Sequence, residues 1–218
     1  MQRSIKLSLV TAIALVSLAA CTKEEPKPDP KEPTAAPSAN ADLAKRGGEL
    51  VRLGGCNDCH TPFKLDPALG GPAPDMTRML SGHPEGVPAP ATAPDPKTGE
   101  TVAGATMTAW KLPFGTVYTA NLTPDVETGL GAWSEEQFIK AMRTGKHMGA
   151  DSGRPILPPM PWMNLAGASD PDLKAIFAYL RTIPAVKNHV PEPNVPPPVL
   201  SGLTSTNEKL AQISKGAR

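Results

Sequence analysis

Three stretches of the chain carry apolar residues at helical spacing, and the segments between them carry no sustained period. Leu43, Gly47, Leu50 and Val51 fall at i, i+4, i+7 and i+8 behind Asp42. Aspartate is a favoured helix cap, so a helix is predicted over 42–53, with Gly54-Gly55 ending it. Gly47 and Gly48 weaken such a helix, and close approach of another helix would account for them. The second stretch is the best signalled. Ser134 and Gln137 make a capping box, Trp133 and Phe138 can staple across it, Phe138, Ala141 and Met142 share a face, and Gly145 supplies the stop. A helix over 135–144 follows. In the third, Asp170 is the expected cap and Pro171 the first helical residue. Leu173, Ile176, Phe177 and Leu180 then repeat at i, i+3, i+4 and i+7, and the helix ends before Pro184.

The remaining segments divide the chain further. Residues 1–6 carry Arg3 and Lys6 and no acid, and Leu7 to Ala20 is a short apolar run. These are the basic and apolar regions of an export signal, too short for a confident membrane span. The run ends Leu18-Ala19-Ala20-Cys21, which resembles a bacterial lipobox, in which the cysteine is acylated and becomes the new N-terminus. An ordinary cleavage site with an incidental cysteine and an uncleaved anchor helix are the competing readings. Thr22 to Ala41 is rich in Pro, Ala, Lys and Glu without apolar period, as expected of a flexible tether. The expected organisation is a signal over 1–20, a lipid-anchored tether over 21–41, a globular domain over 42–190 and a Pro-rich strap or tail over 191–218. Within the domain, 61–114 reads as a long irregular wrap with short helical turns near Asp75 to Leu80. A disordered insertion is the alternative for that segment.

Composition narrows the class. Of 218 residues, 27 are Pro and 19 are Gly, which predicts much loop and little sheet. Net charge is +1, giving no basic field for nucleic acid; without Arg3 and Lys6 the balance is 20 basic against 21 acidic residues. Aromatic residues make up only 4%, too few for a large side-chain core. A large flat apolar cofactor would supply what the side chains do not.

Cys56-Asn57-Asp58-Cys59-His60 names that cofactor. Cys-x-x-Cys-His is the attachment pattern of c-type haem: each cysteine can form a thioether, and the adjacent histidine becomes the proximal iron ligand. A thioredoxin-like redox pair or half of a zinc site could also use Cys-x-x-Cys, but no βαβ pattern surrounds this one and no second ligand pair stands at zinc spacing. With Cys21 assigned to lipid and Cys56 and Cys59 to haem, all three cysteines are accounted for.

The second chemical stretch is Ile156-Leu157-Pro158-Pro159-Met160-Pro161-Trp162-Met163. Prolines on both sides stiffen the backbone, and a stiff loop presenting one thioether suits a distal ligand opposite His60. Met160 is the leading sixth ligand, with Met163 next. Met148, Met107, His147 and His83 remain candidates, although His83, in a Gly-His-Pro loop, is expected to face solvent. Met142 is expected in the core.

These stretches together resemble the cytochrome c subunits of bacterial periplasmic alcohol, aldehyde and sugar-acid dehydrogenases. The resemblance covers roughly 43–190. It rests on Cys56 to His60, on Asn121-Leu122-Thr123-Pro124-Asp125 with Gly129-Leu130-Gly131-Ala132-Trp133-Ser134, on Pro159-Met160-Pro161-Trp162, and on Asp172 to Leu180. It implies an all-α cytochrome c fold with long Pro- and Gly-rich loops, one covalent haem c on Cys56 and Cys59, proximal His60 and distal Met160. Those subunits carry several haem motifs; this chain has one. The function implied is one-electron transfer, without enzymatic activity, between periplasmic redox partners: a dehydrogenase, other cytochromes or a terminal oxidase. The alternatives are a haem enzyme or gas sensor with an open or labile sixth site, and a fixed electron-transfer subunit of a dehydrogenase or oxidase. The location implied is the periplasmic face of a bacterial membrane, inner or outer.

Overall fold

The computed structural model describes residues 37–216; the export signal, Cys21 and most of the tether lie outside them. The element order is α1 (Pro37–Leu53), α2 (Cys56–His60), β1 (Phe63–Asp66), β2 (Gly71–Pro74), β3 (Val102–Ala103), β4 (Ala109–Leu112), β5 (Gly115–Tyr118), α3 (Glu135–Thr144), α4 (Trp162–Ala166), α5 (Asp170–Leu180) and α6 (Pro197–Gly216). Among the described residues no helix is long and apolar enough to cross a membrane.

Helices α1, α3 and α5 build the main core. Val51, Phe138, Ala141, Met142, Leu173, Ile176, Phe177 and Leu180 bury one face of each helix, and Leu80 and Leu130 join them from loops. The glycine at position 47 makes the α1–α5 contact. A Cβ there would lie 1.8 Å from the Ala175 carbonyl oxygen and 2.8 Å from Tyr179 Cβ, so the two backbones approach as only glycine permits. Arg46 pairs with Asp172 at 3.2 Å beside this crossing.

Two helix ends differ from expectation. α1 begins at Pro37, ahead of Asp42, and the cap of α5 is Ser169, whose hydroxyl accepts from Asp172 N–H. The capping box of α3 forms as expected between Ser134 and Gln137, with Gly145 left-handed at the C-terminus.

The all-α expectation is overturned. Segment 61–114 holds most of two small antiparallel sheets, β1–β2 and β3–β4–β5. β4 and β5 form a hairpin across Pro113-Phe114 in the register Ala109↔Tyr118, Trp110↔Val117. They place Trp110 and Val117 in a second apolar cluster with Leu157 and Val195, against which Leu112, Phe114, Val199, Leu200 and Leu203 pack. The strands escape notice because each is two to four residues long, below the length at which alternation registers. β2 also carries Pro72 and Pro74, which a two-stranded edge tolerates and a central strand would not. The expected helical turn appears at Met76–Arg78.

The C-terminal segment is likewise more ordered than an extended strap with a short final helix. Residues 181–183 turn, and 184–196 then run without helix, carrying a single β-bridge at Asn194. Asn194 exchanges both backbone hydrogen bonds with Thr116, at 2.9 Å each, and α6 then follows as a 20-residue helix.

Candidate functional site

α1 ends at Leu53, Gly54 and Gly55 reverse the chain, and α2 begins at once, so the Cys56–His60 turn is delivered directly from the main core. One helical turn puts Cys56 and Cys59 three residues apart and therefore on neighbouring positions of one face. Both thiols are free and half-buried. Cys56 packs against the helical cluster and Cys59 against the sheet-based cluster. Burial pushes both thiols above their ordinary value, and the Asp58 carboxylate adds to the effect.

His60 is buried, and its Nδ1 lies 2.8 Å from the Ala120 carbonyl oxygen. A carbonyl only accepts, so Nδ1 carries the proton and Nε2 holds the lone pair, the tautomer a metal-bound histidine requires. Burial holds the imidazole below its ordinary value, opposed by the Ala120 contact. The surrounding backbone fixes this geometry. Gly82 N–H donates to His60 O at 2.8 Å, His83 N–H to Thr119 O at 3.0 Å and Leu122 N–H to Leu80 O at 2.9 Å. Thr61 Oγ1 accepts from Leu80 N–H and donates to Asn57 Oδ1, both at 2.9 Å. Residues 80–83 thus lie between the haem motif and 119–122 and lock Ala120 in place.

These residues fit a c-type haem. Two unpaired thiols stand on one helical turn. A buried imidazole is fixed in its ligating tautomer, and the thiols bridge two apolar clusters. Among the described residues no group of three or more His, Cys, Asp or Glu side chains forms a competing metal site.

The sixth-ligand candidates separate by position. Met160 is half-buried, with its N–H on Leu157 O at 3.2 Å. Just upstream, Ile156 packs on the cluster that holds Cys56 and Leu157 lies in the cluster that holds Cys59, so this loop spans the same two apolar faces as the cysteines. Met163 is exposed on α4, as are Met107 and Met148 in their loops. Met142 lies in the core, as expected. His147 stacks edge-on against Trp133 at 5.4 Å.

His83 corrects the expectation of a solvent-facing loop histidine. It is fully buried, with Nδ1 2.9 Å from Thr108 Oγ1 and Nε2 2.8 Å from Val87 O, so both nitrogens are committed inside the fold. The sequence signal for this is weak: Thr108 lies 25 residues away, on a segment that reads as irregular. Ala120 escapes a sequence reading altogether, because a backbone carbonyl leaves no residue-type signature.

No family model matches the chain. It is 33% identical over 141 residues to the gluconate 2-dehydrogenase cytochrome c subunit of Pantoea cypripedii, covering 65% of this chain and 23% of that protein. It is 30% identical over 144 residues to the cytochrome c subunit of alcohol dehydrogenase (quinone) of Gluconobacter oxydans, covering 66% and 22%. To the fructose dehydrogenase cytochrome subunit of Gluconobacter japonicus it is 29% identical over 189 residues, covering 84% and 30%. The chain therefore spans less than a third of the length of each of these relatives. Over that span it is a homologue of cytochrome c subunits of bacterial dehydrogenases, the same group its motifs resemble.

Proposed function

We propose that the protein is a monohaem c-type cytochrome that carries single electrons between periplasmic redox partners and is not itself an enzyme. The observation that carries this reading is the Cys56–His60 turn. It places two free thiols between two apolar clusters and fixes a buried His60 with its Nε2 lone pair free. Cys56 and Cys59 hold the haem covalently, His60 is the proximal ligand and Met160 the distal one. Bound there, haem c supplies a one-electron ferric/ferrous couple.

The chain's own residues do the rest. Ala120 holds His60 Nδ1–H and keeps the ring oriented and electron-rich. The Pro159-Met160-Pro161 loop presents an uncharged thioether, which favours the ferrous state and raises the potential. The helical and sheet clusters on which Cys56 and Cys59 pack would shield a haem held there from water.

The test is an optical spectrum of matured protein, oxidised and reduced, with and without carbon monoxide. A c-type reduced spectrum unmoved by the gas is expected, and Met160→Ala should open the iron to it and lower the potential. A wild-type spectrum that shifts with the gas would move the enzyme or sensor reading to first place. A variant identical to wild type would reject Met160.

The named relatives are dehydrogenase subunits, which favours a second reading in which the partner is a permanently bound dehydrogenase. Recovery of such a partner after mild solubilisation separates a fixed subunit from a free carrier. We further propose that acylation of Cys21 anchors the protein on the periplasmic side of a membrane. Cys21→Ser should then release folded, haem-loaded protein into the soluble fraction. Persistence in the pellet after a salt wash would sink the anchoring.

A further inference from the structure

The loop from Gly145 to Met160 is closed at its base by a side chain from α6, the C-terminal helix. Asn207 of α6 is buried, and its Nδ2 donates to Gly145 O at 2.8 Å and to Ile156 O at 3.1 Å. Gly145 O also accepts from Ile156 N–H at 2.7 Å. One amide therefore ties the two ends of the 145–156 loop together. On the other flank of Met160, the buried Trp162 ring packs on the same glycine. A Cβ at Gly145 would sit 2.5 Å from Trp162 Cε2 and 2.9 Å from Asn207 Nδ2. Val199, Leu200 and Leu203 of α6 pack on the cluster containing Leu157, whose carbonyl accepts the Met160 N–H. Lys146 and Glu208 add an ion pair at 3.1 Å at the edge of the contact.

We propose that Asn207 is a positioning residue for the sixth iron ligand: by bridging Gly145 and Ile156 it makes α6 a clasp that holds the Met160 loop closed over the haem. The inference rests on the reading of Met160 as that ligand. Both carbonyls lose a donor when the amide is removed, and the loop base is then left to two backbone hydrogen bonds, Ile156 N–H to Gly145 O at 2.7 Å and His147 N–H to Arg154 O at 2.9 Å. A loop released in this way exchanges its thioether for an external ligand more readily, because the ligand-free state is more populated.

The experiment compares wild type with Asn207→Leu, Met160→Ala and Glu208→Gln, all haem-loaded. The readouts are the sulfur-to-iron charge-transfer band of the ferric protein, carbon monoxide affinity of the ferrous protein, and hydrogen exchange at the Ile156 amide. Asn207→Leu should weaken the band, raise apparent carbon monoxide affinity about tenfold or more, and accelerate exchange at Ile156. Glu208→Gln, which removes only the ion pair, should match wild type. If Asn207→Leu does not accumulate folded, Asn207→Ser, which keeps one donor, carries the test with a smaller expected shift in the same direction. An Asn207 variant that keeps a full band and resists the gas while Met160→Ala does neither overturns the clasp and leaves the ligand reading standing. Equal loosening by Glu208→Gln also overturns it, since the effect would then belong to helix docking in general. If Met160→Ala itself changes nothing, the ligand reading falls and the clasp falls with it.

Discussion

Gly47→Ala should destabilise the folded domain by about 3 kcal/mol, at the upper end of the cost of inserting one carbon into a packed interface. For a domain of this size that corresponds to a thermal midpoint lower by roughly 6–12 °C. The added methyl would meet the Ala175 carbonyl oxygen at 1.8 Å and the carbonyl carbon at 2.5 Å. Both belong to the backbone of α5, so no rotamer change relieves the clash and the helices must separate. Separation loosens the packing of Val51 against Leu173, Ile176 and Leu180, just ahead of the turn that delivers Cys56. Gly202→Ala is the matched control. A Cβ at Gly202, inside α6, meets nothing within 4 Å, so the same chemical change should stabilise by up to about 1 kcal/mol through helix propensity. Thermal or urea unfolding of the three proteins decides the matter. A Gly47→Ala midpoint within error of wild type would mean that the α1–α5 crossing is not the tight contact described.

That glycine is legible in the sequence because a costly residue in a periodic helix demands a reason. The capping box of α3 is legible because its chemistry is local, as is the haem motif, whose five residues act together on one turn. What the sequence hides depends on partners far along the chain. The sheets are built from strands too short to show a period, and the Trp110–Val117 pair acquires meaning only once Leu157 and Val195 pack on it. Ser169 displaces Asp170 as the cap of α5 because both residue types cap helices well, and propensity alone does not separate neighbours. His83 looks exposed in a Gly-His-Pro loop and is buried, since its partners Thr108 and Val87 come from a segment without pattern. Asn207 lies in a tail that reads as polar, and its role depends on two backbone carbonyls that no sequence pattern marks. The motif is therefore readable, whereas the polar ties that hold it are not.

Asn188→Ala should cost about as much as Gly47→Ala, by the opposite route of removing contacts. The side chain is almost fully buried in the extended segment after α5. Its Nδ2 donates to Ser81 O at 2.7 Å and His83 O at 2.8 Å, and its Oδ1 accepts from Glu85 N–H at 2.8 Å and Arg78 Nη2 at 2.9 Å. One amide thus satisfies four groups on 78–85, the segment that also supplies the Gly82 N–H to His60 O. Leaving buried acceptors and donors unpaired costs roughly 1–3 kcal/mol each, less where water reaches them. A loss of about 3 kcal/mol and a midpoint lower by roughly 6–12 °C are expected. Replacing the exposed neighbour His189 by alanine should change stability by less than about 0.5 kcal/mol. The local signature is more telling than the global one. Amide exchange should rise first at Gly82 and Leu122, which hydrogen-bond across this segment, and not at Ile156 on the Asn207 side. Uniform acceleration at all three would mean that Asn188 supports the whole domain and not specifically the proximal face. A stability loss below about 1 kcal/mol would mean that water replaces the lost amide and the network is not needed to hold His60.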